Sequence, residues 1–269
     1  MHESSTLTTG SNLADLFKVS PDGAARRADT RVIASPSIFG GQLFGLAIVA
    51  AVQSAGGAFD PVSMHAHLLE RGIAGSAIEI AVTNVRDGGS SRHRSLTIGQ
   101  GGRPIASLQI LLGRRSDDVP GRPGEPSAPA VASPLTGDRT SPFLSKWGFD
   151  ELEVVHLDAE AIHPMWVKPR VDLPDDPALH AAAIAFVSDM ALVLVAQRGL
   201  DDVRQTPLTV DHAIWFHGVP RFADWLLLDA RRVARHGAHA RVSATLTDPT
   251  GHLVASVSQG VRLRGSGPA

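Results

Sequence analysis

Neither cysteine nor tyrosine occurs anywhere in the 269 residues. The first absence excludes a disulfide framework, thiolate catalysis and cysteine-ligated metals, and it is compatible with a reducing compartment. Aromatic residues make up only 5%, but at 43% hydrophobic the chain can bury a sizeable core. Charge of one sign is also missing. The formal net charge is −2, which leaves no basic surplus to displace counterions from a phosphate backbone and gives no reason to expect nucleic acid as a partner. Met1 to Asn12 is mostly polar and has neither the charged start nor the apolar run of a signal peptide or lipid anchor. The expectation is a cytoplasmic protein with no membrane partner.

Two long apolar segments are present. Phe39–Ala55 (FGGQLFGLAIVAAVQSA) is apolar on nearly every helical face, which describes a helix enclosed by protein. Gly40, Gly41, Gln42 and Gly45 interrupt it too often for a membrane span of about 18 or more apolar residues. The second helix carries clear punctuation: Asp175 or Asp176 as N-cap, Pro177 in the first turn, Arg198 near the end and Gly199 beyond it. His180, Ser188 and Asp189 are polar groups within this second apolar run; Asp189 either faces an internal site or reaches solvent.

Each helix is followed by four strand-like runs. Val62–Glu70, Ala77–Arg86, Ser91–Gln100 and Arg103–Leu112 follow the first, with hairpins at RDGGSS and QGGR; Leu208–His217, Trp225–Arg231, Ala240–Thr247 and His252–Arg264 follow the second, with DPTG as a turn. GRPIASL (Gly102–Leu108) and GHLVASV (Gly251–Val257) lead into the last strand of each half, as a duplication would require. Arg114–Pro142 is rich in proline, glycine, serine and charge and reads as a linker. Trp147, Phe149, Val154, Val155, Ile162 and Trp166 then supply apolar surface to pack onto the second half. The division is a first domain over 30–113, a linker over 114–145 and a second domain over 146–265. The fold class is α+β, two antiparallel sheets each wrapping a long central helix.

Phe39-Gly40-Gly41-Gln42, Arg86-Asp87-Gly88, LPDDPALH (Leu173–His180), Ser188-Asp189, DHAIWFH (Asp211–His217), Trp225-Leu226-Leu227 and LVASVSQ (Leu253–Gln259) occur in this order. The set resembles the acyl-CoA thioesterase II (TesB-like) family of tandem, double-hotdog proteins. The resemblance implies hydrolysis of acyl-CoA to a fatty acid and coenzyme A by activated water, with no metal or other cofactor, in a homo-oligomer. It carries the water-binding aspartate onto Asp211 and the glutamine onto Gln259, where a carboxylate accepts a proton and an amide orients the water. Gly40, Gly41 and Gln42, at a helix start whose N–H groups polarise a carbonyl, are substrate-binding candidates, as is Arg232, within a basic cluster with Arg231 and Arg235 suited to phosphate.

The family's hydroxyl does not carry over. It falls at Arg232 or Val233, and no serine or threonine occurs from Leu226 to Val242. Leu46, Ser91 and Gly260 also depart from the pattern. The alternative is therefore a homologue that binds an acyl thioester or another apolar ligand without turnover. Asp175–His180 bears a faint likeness to the hotdog hydratases, but lacks their asparagine and their proline-to-histidine spacing. His65 with His67 and His236 with His239 lack a third partner for a metal.

Overall fold

Helix α1 (Gly40–Ala55) has almost no polar face because protein encloses it: every residue from Gly40 to Val52 is buried. It ends where Gly56 takes a left-handed φ of 79°, which glycine adopts without a Cβ clash. The computed structural model describes residues 12–33, 35–115, 149–157, 162–199 and 206–264. Trp147 and most of the expected linker lie outside the described residues. Arg114 and Arg115, by contrast, belong to the folded body, Arg114 at the end of a strand and Arg115 bonded through Nε to Asp60 Oδ2 at 2.9 Å.

Strands β1 (Ser20–Asp22) and β2 (Ala25–Asp29) precede α1, and β3 (Phe59–Leu68), β4 (Ala77–Asp87), β5 (Ser91–Gln100) and β6 (Arg103–Arg114) follow it. The second half repeats the order: β7 (Leu152–His156), β8 (Met165–Pro169), α2 (Pro177–Val187) with its extension α3 (Leu192–Gln197), then β9 (Thr206–Phe216), β10 (Leu226–His236), β11 (His239–Thr247) and β12 (Leu253–Arg264). The strands lie in the order β1-β2-β4-β5-β6-β3-β9-β12-β11-β10-β8-β7. Read from either edge, the same pattern of strands recurs, so an approximate twofold relates the halves through the β3–β9 pair. The fold is the double hotdog.

The two expected sheets are joined edge to edge. Antiparallel pairing of β3 with β9, from Ser63↔Trp215 to His67↔Asp211, makes one continuous sheet of 12 strands among the described residues. Such closure removes two bare edges, which would otherwise be open to foreign strands. The GRPIASL and GHLVASV segments occupy β6 and β12, equivalent positions in the two halves.

The second helix starts as its sequence indicates, with Asp176 Oδ1 accepting from Ala178 N at 2.9 Å ahead of Pro177. It does not run unbroken to Arg198. Ser188–Ala191 forms turns, and Ala191 adopts a left-handed φ of 61° before α3 begins. The stretch Pro177–Gln197 is long and apolar enough to cross a membrane, but 83% of its most apolar window is buried in protein, which accounts for its composition.

Candidate active site

The break after α2 places Asp189 against the start of α1. A Cβ on Gly40 would stand 2.6 Å from Asp189 Oδ2, and one on Gly41 would overlap the Phe186 carbonyl oxygen. The paired glycines thus allow α1 and α2 to touch, and Gly41 N–H donates to Asp189 Oδ2 at 3.0 Å. That bond consumes the Gly41 N–H, one of the groups at this helix start expected to polarise a substrate carbonyl, while Gly40 stays in the cavity wall. Gln42 is likewise not free for a ligand: it is buried, its Oε1 accepts from Arg31 N at 3.1 Å, and its Nε2 points to Leu16 O at 3.5 Å.

Burial pushes the Asp189 carboxyl up to about 7, although the Gly41 N–H, the Gln259 amide and the Thr209 hydroxyl all favour its charged form. Its Oδ1 has no hydrogen-bond partner of good geometry among the described residues. Thr209 Oγ1 accepts from Gln259 Nε2 at 3.0 Å. Asp189, Thr209 and Gly40 line a cavity of about 920 Å³, whose walls include Ile33, Ile38, Leu43, Leu68, Leu194 and Leu208 and whose charged groups are Glu70, Arg71 and Arg262. A carboxyl and a hydroxyl therefore stand at the wall of a largely aliphatic cavity, with the buried Gln259 amide bonded to the hydroxyl from behind.

Asp211 is not among them. It pairs with Gly260, one position along from the pair His212↔Gln259, so its side chain leaves the opposite face of the sheet from Gln259. There its Oδ1 accepts from Gly260 N at 3.0 Å and from Arg241 Nη1 at 2.9 Å. Gly260 has no side chain for a steric reason: a Cβ there would overlap the Asp211 carboxylate. Asp211 and Gln259, expected to converge on one water, thus lie on opposite faces of the sheet, and the aspartate on the Gln259 side is Asp189. Arg232 is also elsewhere, its Nη1 donating to the carbonyls of Ala196 at 3.0 Å and Arg198 at 2.8 Å, where it serves the C-terminal end of α3.

A hydroxyl does stand at this wall, that of Thr209. Strict alternation along β9 would put Thr209 on the Asp211 face. The register instead shifts between Gly260↔Asp211 and Val261↔Thr209, so that Val210 is an extra residue on β9, and this bulge turns Thr209 inward. The only sequence signal for it would have been the bulge, which residue alternation does not reveal.

Behind Gln259 lies a buried histidine. His212 Nδ1 is 2.7 Å from Gln259 Oε1, and its Nε2 is 2.9 Å from Ser188 Oγ. The ring stacks on Phe44 at 4.5 Å. Burial holds the His212 imidazole down to about 4, against the opposing influence of the Gln259 bond and the Asp211 charge. Serine, histidine and an acceptor in a line resemble a nucleophile relay, but Ser188 is fully buried and not in the cavity wall, so no acyl group reaches it. Among the described residues no group of three His, Asp or Glu side chains is arranged to hold a metal ion; His65 lies on the outer face and packs edge-on to Trp215.

Residues 29–113 match the model of the acyl-CoA thioesterase N-terminal domain and residues 116–263 that of the acyl-CoA thioesterase C-terminal domain. The chain belongs to the acyl-CoA thioesterase family. Human acyl-coenzyme A thioesterase 8 is 22% identical over 254 residues, spanning 82% of this chain and 79% of that protein. Among solved structures, an acyl-CoA thioesterase II, TesB2, from Mycobacterium marinum superposes with a TM-score of 0.79 at 27% identity, covering 96% of this chain and 99% of that one. A tesB protein from Mycobacterium avium subs paratuberculosis gives 0.78 at 24%, over 95% and 100%. Within this acyl-CoA thioesterase fold, the cavity wall between α1, the α2 break and β9 is the place where carboxyl and hydroxyl meet, with the Gln259 amide of β12 behind the hydroxyl.

Proposed function

We propose that the protein hydrolyses acyl-CoA thioesters, with Asp189, Thr209 and Gln259 holding the attacking water. The observation that carries this reading is the buried Asp189 carboxyl, raised to about 7 at the wall of the aliphatic cavity with a free Oδ1. A carboxylate of that basicity is suited to proton removal near neutral pH, and perturbed carboxylates in clefts mark working sites.

In the reaction, ionised Asp189 takes a proton from water as the water oxygen bonds to the thioester carbonyl carbon. Thr209 and the Gln259 amide fix the direction of attack. The tetrahedral adduct then expels the coenzyme A thiolate as the C–S bond breaks. The proton held on Asp189 passes to that sulfur, leaving a fatty acid, the free thiol and the carboxylate restored. Aliphatic walls accept the acyl chain, while Arg71 and Arg262 provide cations for the phosphates of the coenzyme. A homo-oligomer belongs to the same proposal and rests on family habit.

The non-catalytic alternative drew its force from the missing hydroxyl, and Thr209 removes that motive. The test is release of free coenzyme A from short, medium and long acyl-CoAs. Turnover by the parent that is lost in Asp189→Asn and kept in Asp211→Asn is the expected result. Saturable binding with no turnover on any chain length would overturn the enzymatic reading.

A further inference from the structure

Gln259 has an amide whose two ends are nearly the same size, and only one orientation presents N–H to Thr209. Its neighbours decide which. Thr209 and Ser188 each own a single hydroxyl proton, and a neutral imidazole donates from one nitrogen and accepts at the other. His212 is neutral at ordinary pH because it is enclosed, with Phe44 over its ring, Ser188 and Gln259 at its two nitrogens and Asp211 as the nearby charge.

Two arrangements satisfy these groups. In the first, Ser188 Oγ–H donates to His212 Nε2, His212 Nδ1–H to Gln259 Oε1, and Gln259 Nε2–H to Thr209 Oγ1, which leaves the Thr209 proton for Asp189. In the second, every bond is reversed: Ser188 gives its proton to Ala185 O, 2.8 Å away, His212 donates from Nε2, Gln259 is flipped, and Thr209 spends its proton on Gln259. Asp189 would then face only oxygen lone pairs from Thr209 while buried and, at work, ionised. Leaving a buried charge without that donor costs more than leaving the Ala185 carbonyl with one bond fewer.

We propose that His212, as the Nδ1–H tautomer, is a positioning residue that fixes the orientation of the Gln259 amide and so directs the donor chain toward Asp189. The inference rests on the hydrolase reading, since Gln259 and Thr209 matter through the water they hold. His212 touches no substrate.

Two measurements test it. Nitrogen-15 imidazole spectra of the intact protein at pH 7, with His212 assigned by comparison with His212→Asn, are expected to show the proton on Nδ1 and none on Nε2. A proton on Nε2 overturns the inference whether or not hydrolysis is detected. In kinetics, His212→Phe keeps a ring against Phe44 but leaves the amide unguided, and kcat should fall by about 10- to 100-fold with KM nearly unchanged. His212→Asn, which retains an N–H near the Nδ1 position, should recover part of that loss. In a Gln259→Leu background, His212→Phe should cost less than about 3-fold, because its effect passes through Gln259. Full additivity in that cycle overturns the positioning role. A parent with no hydrolysis at all sinks the proposed function alone, and the tautomer then decides this inference. Should His212→Phe fail to fold, the spectrum of the parent and the kinetics of the Asn variant still decide between the two arrangements.

Discussion

Asp189 and Asp211 are two aspartates of the same region with opposite chemistry. Asp211 is partly exposed and bound by Arg241 and the Gly260 N–H, whereas Asp189 is buried and raised to about 7. A base must be ionised to accept a proton, so kcat/KM should rise with pH and level off above an apparent pKa near 7. In Asp189→Asn, activity should drop by about 10²- to 10⁴-fold and lose that limb; a limb unchanged in the variant would show that another group titrates. Asp211→Asn should keep kcat within a few-fold. Thr209→Val should lower kcat more than it raises KM, and Thr209→Ser should restore most of the loss in a steady-state assay. The residue types are legible in the sequence: Gln259 belongs to the network at the cavity wall, and Asp189 stands out as a polar group in an apolar run, in need of a partner. What alternation cannot show is the bulge at Val210. It reverses the face of Thr209 relative to Asp211, so strict alternation cannot place Thr209 on the inner face while Asp211 stays on the outer one.

At the level of elements, the glycines of α1 are a packing device. A glycine-to-alanine change in an open helix gains about 1 kcal/mol. Here the two sites should depart from that rule in different ways. Gly41→Ala drives a Cβ into the Phe186 backbone, which cannot swing aside, so stability should fall by about 1–3 kcal/mol in denaturant titrations. At Gly40→Ala the Cβ meets the Asp189 carboxyl, a side chain able to turn. The cost there should appear mainly as lost turnover, with a smaller change in midpoint. Equal effects of both substitutions on stability would refute the distinction. The start of α1 is readable because FGGQ sits at the edge of a continuous apolar run; the break in the second helix is not, since Ser188–Ala191 contains neither glycine nor proline, and Ala191 takes its left-handed φ of 61° inside tertiary packing. Gln42 and Arg232 escape a sequence reading for a related reason. Each is a polar side chain whose use is to satisfy backbone groups, Arg31 N and Leu16 O for one and the end of α3 for the other.

On the scale of the whole molecule, the duplicated order of helix and strands is legible, and the joining of the halves through β3 and β9 into one sheet is not, because edge pairing leaves no mark in composition. That single body buries titratable groups whose linkages oppose one another, among them His163, His212 and Asp189. His163 is held between Leu228 O and Met190 O and His212 between Ser188 and Gln259, and burial lowers both to about 4 from 6.5. Between those values the unfolded chain takes up a proton at each and the folded chain does not, so their contribution to stability is present above 6.5 and lost as pH falls toward 4. Asp189 works the other way. Its folded value near 7 exceeds the unfolded 3.8, so the folded chain holds the extra proton, and stability attached to it is present below 3.8 and lost as pH rises through 7. Near pH 5.5 the balance is about two protons favouring the unfolded chain against about one favouring the folded, and stability should rise with pH by about 1 kcal/mol per unit. His180, also lowered by burial, adds in the same sense as the other two histidines. Asp189→Asn removes the opposing proton, so the slope should nearly double, while the variant gains stability over the parent above pH 7. His163→Gln should flatten the slope toward zero. Urea unfolding at closely spaced pH values from 5 to 8 reads all three, and a parent whose stability is level across that range would show that these groups are not the ones that titrate on folding.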